Sequence, residues 1–272
     1  MSGRPHKATR DGAHGRSVEL REVAMAERPI LMSAPMVRAI LAGAKTQTRR
    51  VVKPQPSDEW SPEVGPYCPT VVGRDGIEEP GEEIFGAADE SEGRKCPFGE
   101  PGTLLWVRET WRALKRFDSH PPRDISASLV GYEADPARGD LLPVPEGRMG
   151  KVRPSIHMPR WASRITLELL SVRVERLQEI SEADARAEGL LAQEGDGGGP
   201  GWGYKWRGIG YEGARPGCFH TPATDGTCSC KVAGPSPAQC AYRELWDKIN
   251  GKRAPWASNP WCWVLEFRRV TP

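Results

Sequence analysis

The sequence lacks any apolar run of the roughly 18 residues that a membrane-spanning helix needs, which excludes such a span. It lacks an excess of either charge: 38 Lys and Arg stand against 36 Asp and Glu, a formal net charge of +2. That balance excludes a histone-like coat for a polyanion, although a local basic cleft fits within it. Residues 1–28 hold no apolar core of the kind a secretory leader carries, so a cytosolic protein with no membrane partner is expected. Histidine is scarce, with five copies, and the seven cysteines are an odd number. In a reducing compartment such cysteines are free thiols or metal ligands rather than disulfides. Apolar residues make up only 38% of the chain. What is abundant is Gly (30), Pro (26) and Trp (10). Gly and Pro at that level argue against a helical bundle and predict many loops.

Residues 1–28 read as a disordered polar tail, with Met25 as a second possible start. Residues 29–272 read as one domain. A strand is expected at Pro29–Met32. A helix follows, with Met36, Val37, Ile40 and Leu41 inward and Gly43 at its end. Further strands are expected at 45–52, 103–111, weakly at 129–134, as two segments over 164–177, and at 261–269. Ser181 to Asp184 opens a short helix closed by Gly189, and 239–250 forms an amphipathic helix with Tyr242, Leu245, Trp246 and Ile249 inward. Two loop-rich insertions interrupt this pattern, at about 58–100 and 192–238. The first carries twelve acids and three bases, a net charge of −9. Strands outnumber short helices, so the expected fold is α+β: a small mixed barrel rather than a doubly wound sheet.

The chemistry-bearing stretch is Gly43-Ala-Lys45-Thr46-Gln47-Thr48-Arg49-Arg50. The next acid downstream is Asp58, so these cations lack local partners and suit an anionic or polar ligand; a solvated edge strand guarded by charge is the alternative. Alternation puts Thr48 and Arg50 on one face, and Lys45 meets Thr48 only if it sits in the turn after Gly43.

This stretch, with its preceding helix, resembles the ASCH family, whose signature runs Gly-x-Lys-x-x-Glu/Thr-x-Arg. Pro101-Gly-Thr-Leu-Leu-Trp-Val-Arg, Ile180 to Gly189 and Trp263-Val-Leu-Glu-Phe are similar to its later blocks, in the same order. The match covers roughly 29–53, 101–111, 160–191 and 239–270 and is most like the long phage and prophage members. The resemblance implies a PUA-like β-barrel that binds a nucleobase, nucleoside or RNA. Some members hydrolyse the amide of N4-acylated cytidine with a Lys, a Thr and a Glu, which by motif position become Lys45, Thr48 and Glu188. Glu188 would stand in the last turn of its helix, where the macrodipole disfavours a carboxylate and suits a proton donor. Arg49 and Arg50 would bind substrate. A non-catalytic RNA- or DNA-binding module, a ribonuclease, or an accessory module that docks protein through the acidic insertion are the other readings.

Four further groups stand out. Trp106 and Arg108 share a strand face, with Glu109 on the other; they either stack and pair with a nucleotide or pack structurally. Arg153 to Trp161 is acid-free and basic, so His157 and Arg160 are candidate contacts on a cleft rim, or ordinary structural side chains. Gly201 to Arg207 interleaves aromatics and bases, which suits base stacking or packing onto the barrel. His220, Cys228, Cys230 and Cys240, with Cys218 as substitute, would satisfy tetrahedral zinc and order a Gly/Pro-rich insertion; free thiols are the alternative.

Overall fold

The computed structural model describes residues 26–125, 129–135, 148–190, 192–194, 204–206 and 237–270. The first strand, β1 (Glu27–Leu31), begins inside the expected tail, where Glu27 accepts two hydrogen bonds from Arg160 at 2.8 Å. Helix α1 (Ala34–Leu41) buries Val37 and Ile40, while Leu41 is exposed, contrary to the expected inward set. Gly43 adopts φ +74°, the left-handed turn that ends the helix and that a side chain would oppose. Strand β2 (Gln47–Val51) follows directly.

The acidic segment is not the loop that its composition predicts. Strands β3 (Glu63–Tyr67), β4 (Thr70–Val72), β5 (Glu78–Pro80), β6 (Ile84–Ala88) and β7 (Gly93–Lys95) run through it. Their sheets have the order β3-β6-β7 and β4-β5. Trp60, Ala87 and Cys96 bury themselves in the main core, and the Trp60 indole donates to the Glu92 carbonyl at 3.1 Å. One tryptophan and a few small residues here anchor a unit whose apolar content is otherwise low.

Strand β8 (Leu104–Arg108) pairs parallel with β1, and the short strands β9 (Trp111–Arg112) and β10 (Gly131–Tyr132) pair with each other. The two segments expected over 164–177 are one strand, β11 (Thr166–Arg176), with a register shift between Leu169 and Ser171. The intervening Leu170 is 47% exposed, so the inward set changes parity there, from Leu167 and Leu169 to Val172. Helix α2 (Glu182–Ala187) is capped by Ser181, which accepts from the Asp184 amide at 3.0 Å. Backbone pairing joins β12 (Ala192–Glu194) to β13 (Tyr204–Trp206). Helix α3 (Pro237–Asn250) buries Tyr242, Leu245 and Trp246, whereas Ile249 is half exposed, unlike the expectation. Strand β14 (Trp261–Val270) completes the main sheet, in the order β1-β8-β11-β14-β2.

The fold is therefore mixed α+β, mostly strands with few helices, and none of the described sheets closes into a barrel. One face of the main sheet packs Ile30, Leu105, Leu167, Trp263 and Leu265 together with Val37 and Ile40 of α1. On the other side, α2 and α3 form a second core with Leu177 and Cys262. No described helix is long and apolar enough to cross a membrane.

Candidate functional site

The site lies at β2, the edge of the main sheet, where α2 and α3 approach it. Gly43 turns the chain so that Lys45 leaves the helix before the strand begins, and its amide donates to the Ala39 carbonyl at 3.1 Å. Gly189, at φ +96°, ends α2 in the corresponding way and leaves Glu188 at the helix C-cap. The two residues meet as an isolated antiparallel bridge. The Lys45 ammonium donates to Glu188 Oε2 at 2.7 Å and to the Glu188 carbonyl at 3.0 Å, with both side chains almost wholly excluded from solvent. Burial lowers the pKa of Lys45, and the Glu188 charge opposes that shift.

The other carboxylate oxygen of Glu188 is held from two sides. Arg49 Nη1 lies 3.8 Å away, and the Tyr242 hydroxyl donates to it at 3.4 Å. Burial, reinforced by the Glu188 charge, raises the Tyr242 phenol well above its usual range and keeps it a donor. Arg49 also pairs with Glu175 at 2.9 Å and with Asp184 at 3.2 Å. Gln47 fits between them, its amide oxygen accepting from Arg49 at 2.6 Å and its nitrogen donating to Asp184 at 2.9 Å. Burial opposes ionisation of Asp184, yet the hydrogen bond from Ser181 and the charges of Arg49 and Arg173 hold its carboxyl below the ordinary value.

Beside this network is a cavity of about 70 Å³, lined by Thr48, Arg49, Arg50, Glu188 and Tyr242 on its polar side and by Met36, Leu245 and Trp246 on its apolar side. It has room for several waters or a small planar group. Thr48 is buried and its hydroxyl has no partner among the described residues. The Nε atoms of Arg49 and Arg50 are likewise buried without partners. Arg50 Nη2 donates to the Leu31 carbonyl at 2.6 Å and to the Met32 sulfur at 3.4 Å. Two buried guanidinium N–H groups and one hydroxyl thus await acceptors, in a site whose other wall is apolar.

Of the residues expected from sequence, Thr48, Glu188, Arg49 and Arg50 line one cavity, and Lys45 is bonded directly to Glu188. The remaining ones lie elsewhere. Glu109 is buried and receives two hydrogen bonds from Arg164, at 2.9 and 3.0 Å; burial raises its pKa against that pairing. Trp106 is flanked by Arg108 and Arg160, whose guanidinium carbons stand 5.3 and 5.9 Å from its ring centre. Arg160 is tied to Glu27, and His157 is exposed on a short 3-10 turn. Lys45 and Arg49, which lack acids nearby in sequence, are compensated by distant ones at 175, 184 and 188. The cations around the Arg153 to Trp161 stretch are likewise occupied in part, Arg153 by the carbonyls of Phe117 and His120 and Arg164 by Glu109 and Asp135.

His220, Cys228 and Cys230, Cys218 as their substitute, and Trp202 and Arg207 of the aromatic stretch lie outside the described residues, whereas Tyr204–Trp206 form β13. Cys240 is on the first turn of α3, and no group of metal-binding side chains occurs among the described residues. Sequence reasoning missed the site roles of Tyr242, Asp184, Glu175 and Gln47. Tyr242 was legible only as an inward residue of α3.

No protein-family model, curated protein or solved structure matches this chain.

Proposed function

We propose that the chain is an ASCH-type protein of PUA-like ancestry that takes one nucleobase, its sugar left outside, into the β2-edge cavity and hydrolyses a base-linked amide there. The observation that carries the reading is the Lys45–Glu188 contact at 2.7 Å, beside a cavity lined by Thr48 and two arginines with spare donors. An amide needs a nucleophile, a base and a group to stabilise the oxyanion. Thr48 Oγ1 attacks the acyl carbon and forms the C–O bond. Lys45 first passes its proton across the 2.7 Å contact to Glu188 and, as the neutral amine that burial favours, accepts the hydroxyl proton. The oxyanion is held by the positive charge of Arg49 and Arg50, which line the cavity. Collapse breaks the C–N bond, and the proton passes through the Lys45–Glu188 pair to the leaving amine. Water then releases the acyl group by the same route. Glu188, fixed by Lys45, Arg49 and Tyr242, keeps the pair aligned.

The test is to incubate the protein with N4-acetylcytidine and, separately, with single-stranded RNA, beside Thr48→Val and Glu188→Gln variants that keep side-chain volume. The expected result is cytidine release, reduced about 100-fold or more in both variants, with unchanged circular dichroism. Release at the wild-type rate in both variants overturns the assignment. Binding of RNA without turnover of either substrate replaces catalysis with recognition.

A further inference from the structure

Two surfaces of this molecule carry opposite charge and make no ion pair with each other among the described residues. The first is the β4–β5 hairpin, in which every residue from Thr70 to Pro80 is exposed. Its apolar side chains are not covered: Val71 is 46%, Ile77 57% and Val72 66% accessible. Around them stand Asp75, Glu78, Glu79, Glu82 and Glu83, none of which makes an ion pair among the described residues, with Arg74 the one base of the hairpin. A two-stranded sheet bare on both faces buries little, so three exposed β-branched residues there mark a contact surface rather than a core.

The second surface is built where 111–115 runs beside 148–153. The Lys115 amide donates to the Arg148 carbonyl at 2.8 Å, and Leu114 bridges Met149. This ladder brings Lys115, Arg116, Arg148 and Lys151 to one exposed patch. None of the four is ion-paired among the described residues; Arg116 lies over the Phe117 ring. The one acid within the patch, Asp118, accepts the Lys151 amide at 2.8 Å. Exposed Val152, at 47%, supplies an apolar contact beside the cations. No ion pair among the described residues joins this patch to the hairpin of the same chain.

We propose that the acidic hairpin of one copy of this chain docks on the Lys115–Lys151 patch of a second copy. The two patches differ from each other, so the contact is heterologous: each copy keeps one free patch and the assembly extends or closes into a ring. It depends on opposite charges at an exposed interface, and salt disperses it.

Sedimentation velocity on the full chain tests this at about 20 mM and about 500 mM NaCl. Species larger than the monomer that grow with concentration are expected at low salt, with monomer alone at high salt. Glu78→Lys with Glu79→Lys, and separately Lys115→Glu with Lys151→Glu, are exposed changes and each should leave the protein monomeric. An equimolar mixture of the two variants, or all four substitutions in one chain, should restore assembly. A wild-type monomer at every concentration in low salt overturns the proposal, as does assembly indifferent to salt and to both variants. A monomer that binds a fluorescent single-stranded oligonucleotide through Lys115 and Lys151 also overturns it and assigns the patch to a polyanion.

Discussion

Lys45 and Glu188 are 143 positions apart in the chain and 2.7 Å apart in space, with their side chains shut away from water. Removing one partner strands a buried charge, and such a change costs about 3–5 kcal/mol. Lys45→Met and Glu188→Leu are each expected to lower stability by that amount. The double variant is expected to recover most of the loss, because an apolar pair carries no desolvation penalty. Urea unfolding of the four proteins forms a double-mutant cycle that measures the coupling.

Tyr242→Phe removes the 3.4 Å hydrogen bond to Glu188 but keeps the ring against Trp246 and Trp256. Its stability cost should be about 1 kcal/mol, typical of one hydrogen bond. Tyr242→Ala also opens a void in the second core and should cost about 3–5 kcal/mol. Thermal and urea denaturation separate the two, and equal losses would mean that the hydroxyl rather than the ring dominates.

Asp184 has a folded-state pKa below its ordinary 3.8, held there by Ser181, Arg49 and Arg173 against the effect of burial. Between the two values the unfolded chain binds the extra proton, so stability falls as pH falls. The contribution is fully present above about pH 5 and is lost progressively below about pH 4. Asp184→Asn should therefore be less stable near neutrality and lose less stability on acidification. Unfolding curves from pH 6 down to about pH 2 check the slope, and parallel slopes in the two proteins would remove Asp184 from the account.

Burial pushes the thiols of Cys96 and Cys262 up to about 11 and about 12, whereas Cys68 is exposed. Thiolate is the reactive form, so iodoacetamide at pH 8 should label Cys68 and spare the other two until the chain is unfolded. Peptide mapping by mass spectrometry checks this, and labelling of Cys262 in the native protein would mean that the second core opens readily.

Much of the site was legible because it rests on local rules. Gly43 placed Lys45 in a turn, the strand that follows placed Thr48, and Ser181 with Gly189 bracketed the helix that ends at Glu188. The electrostatics were not legible. Counting acids along the chain left Lys45 and Arg49 unpartnered, because their partners come from β11 and α2, more than 120 positions downstream. The strands of the acidic segment were hidden for another reason. The glycine, proline and alanine within β3 and β6 gave no period-two apolar signal, although the two strands pair over five residues. The half-exposed Ile249 and exposed Leu41 show the limit of helical periodicity, which ranks faces but does not say how far a neighbour reaches along them.

Strand order carries one more consequence. β14 lies between β11 and β2, so the strand bearing Thr48 and Arg49 has no sheet neighbour until residues 261–270 have been synthesised. During translation β2 must wait through more than two hundred residues with its backbone groups unsatisfied by the sheet. Assembly of the cavity therefore waits for those residues, is slow in the manner of folds dominated by distant pairings, and is exposed in the interval to chaperones and to mispairing with other nascent chains.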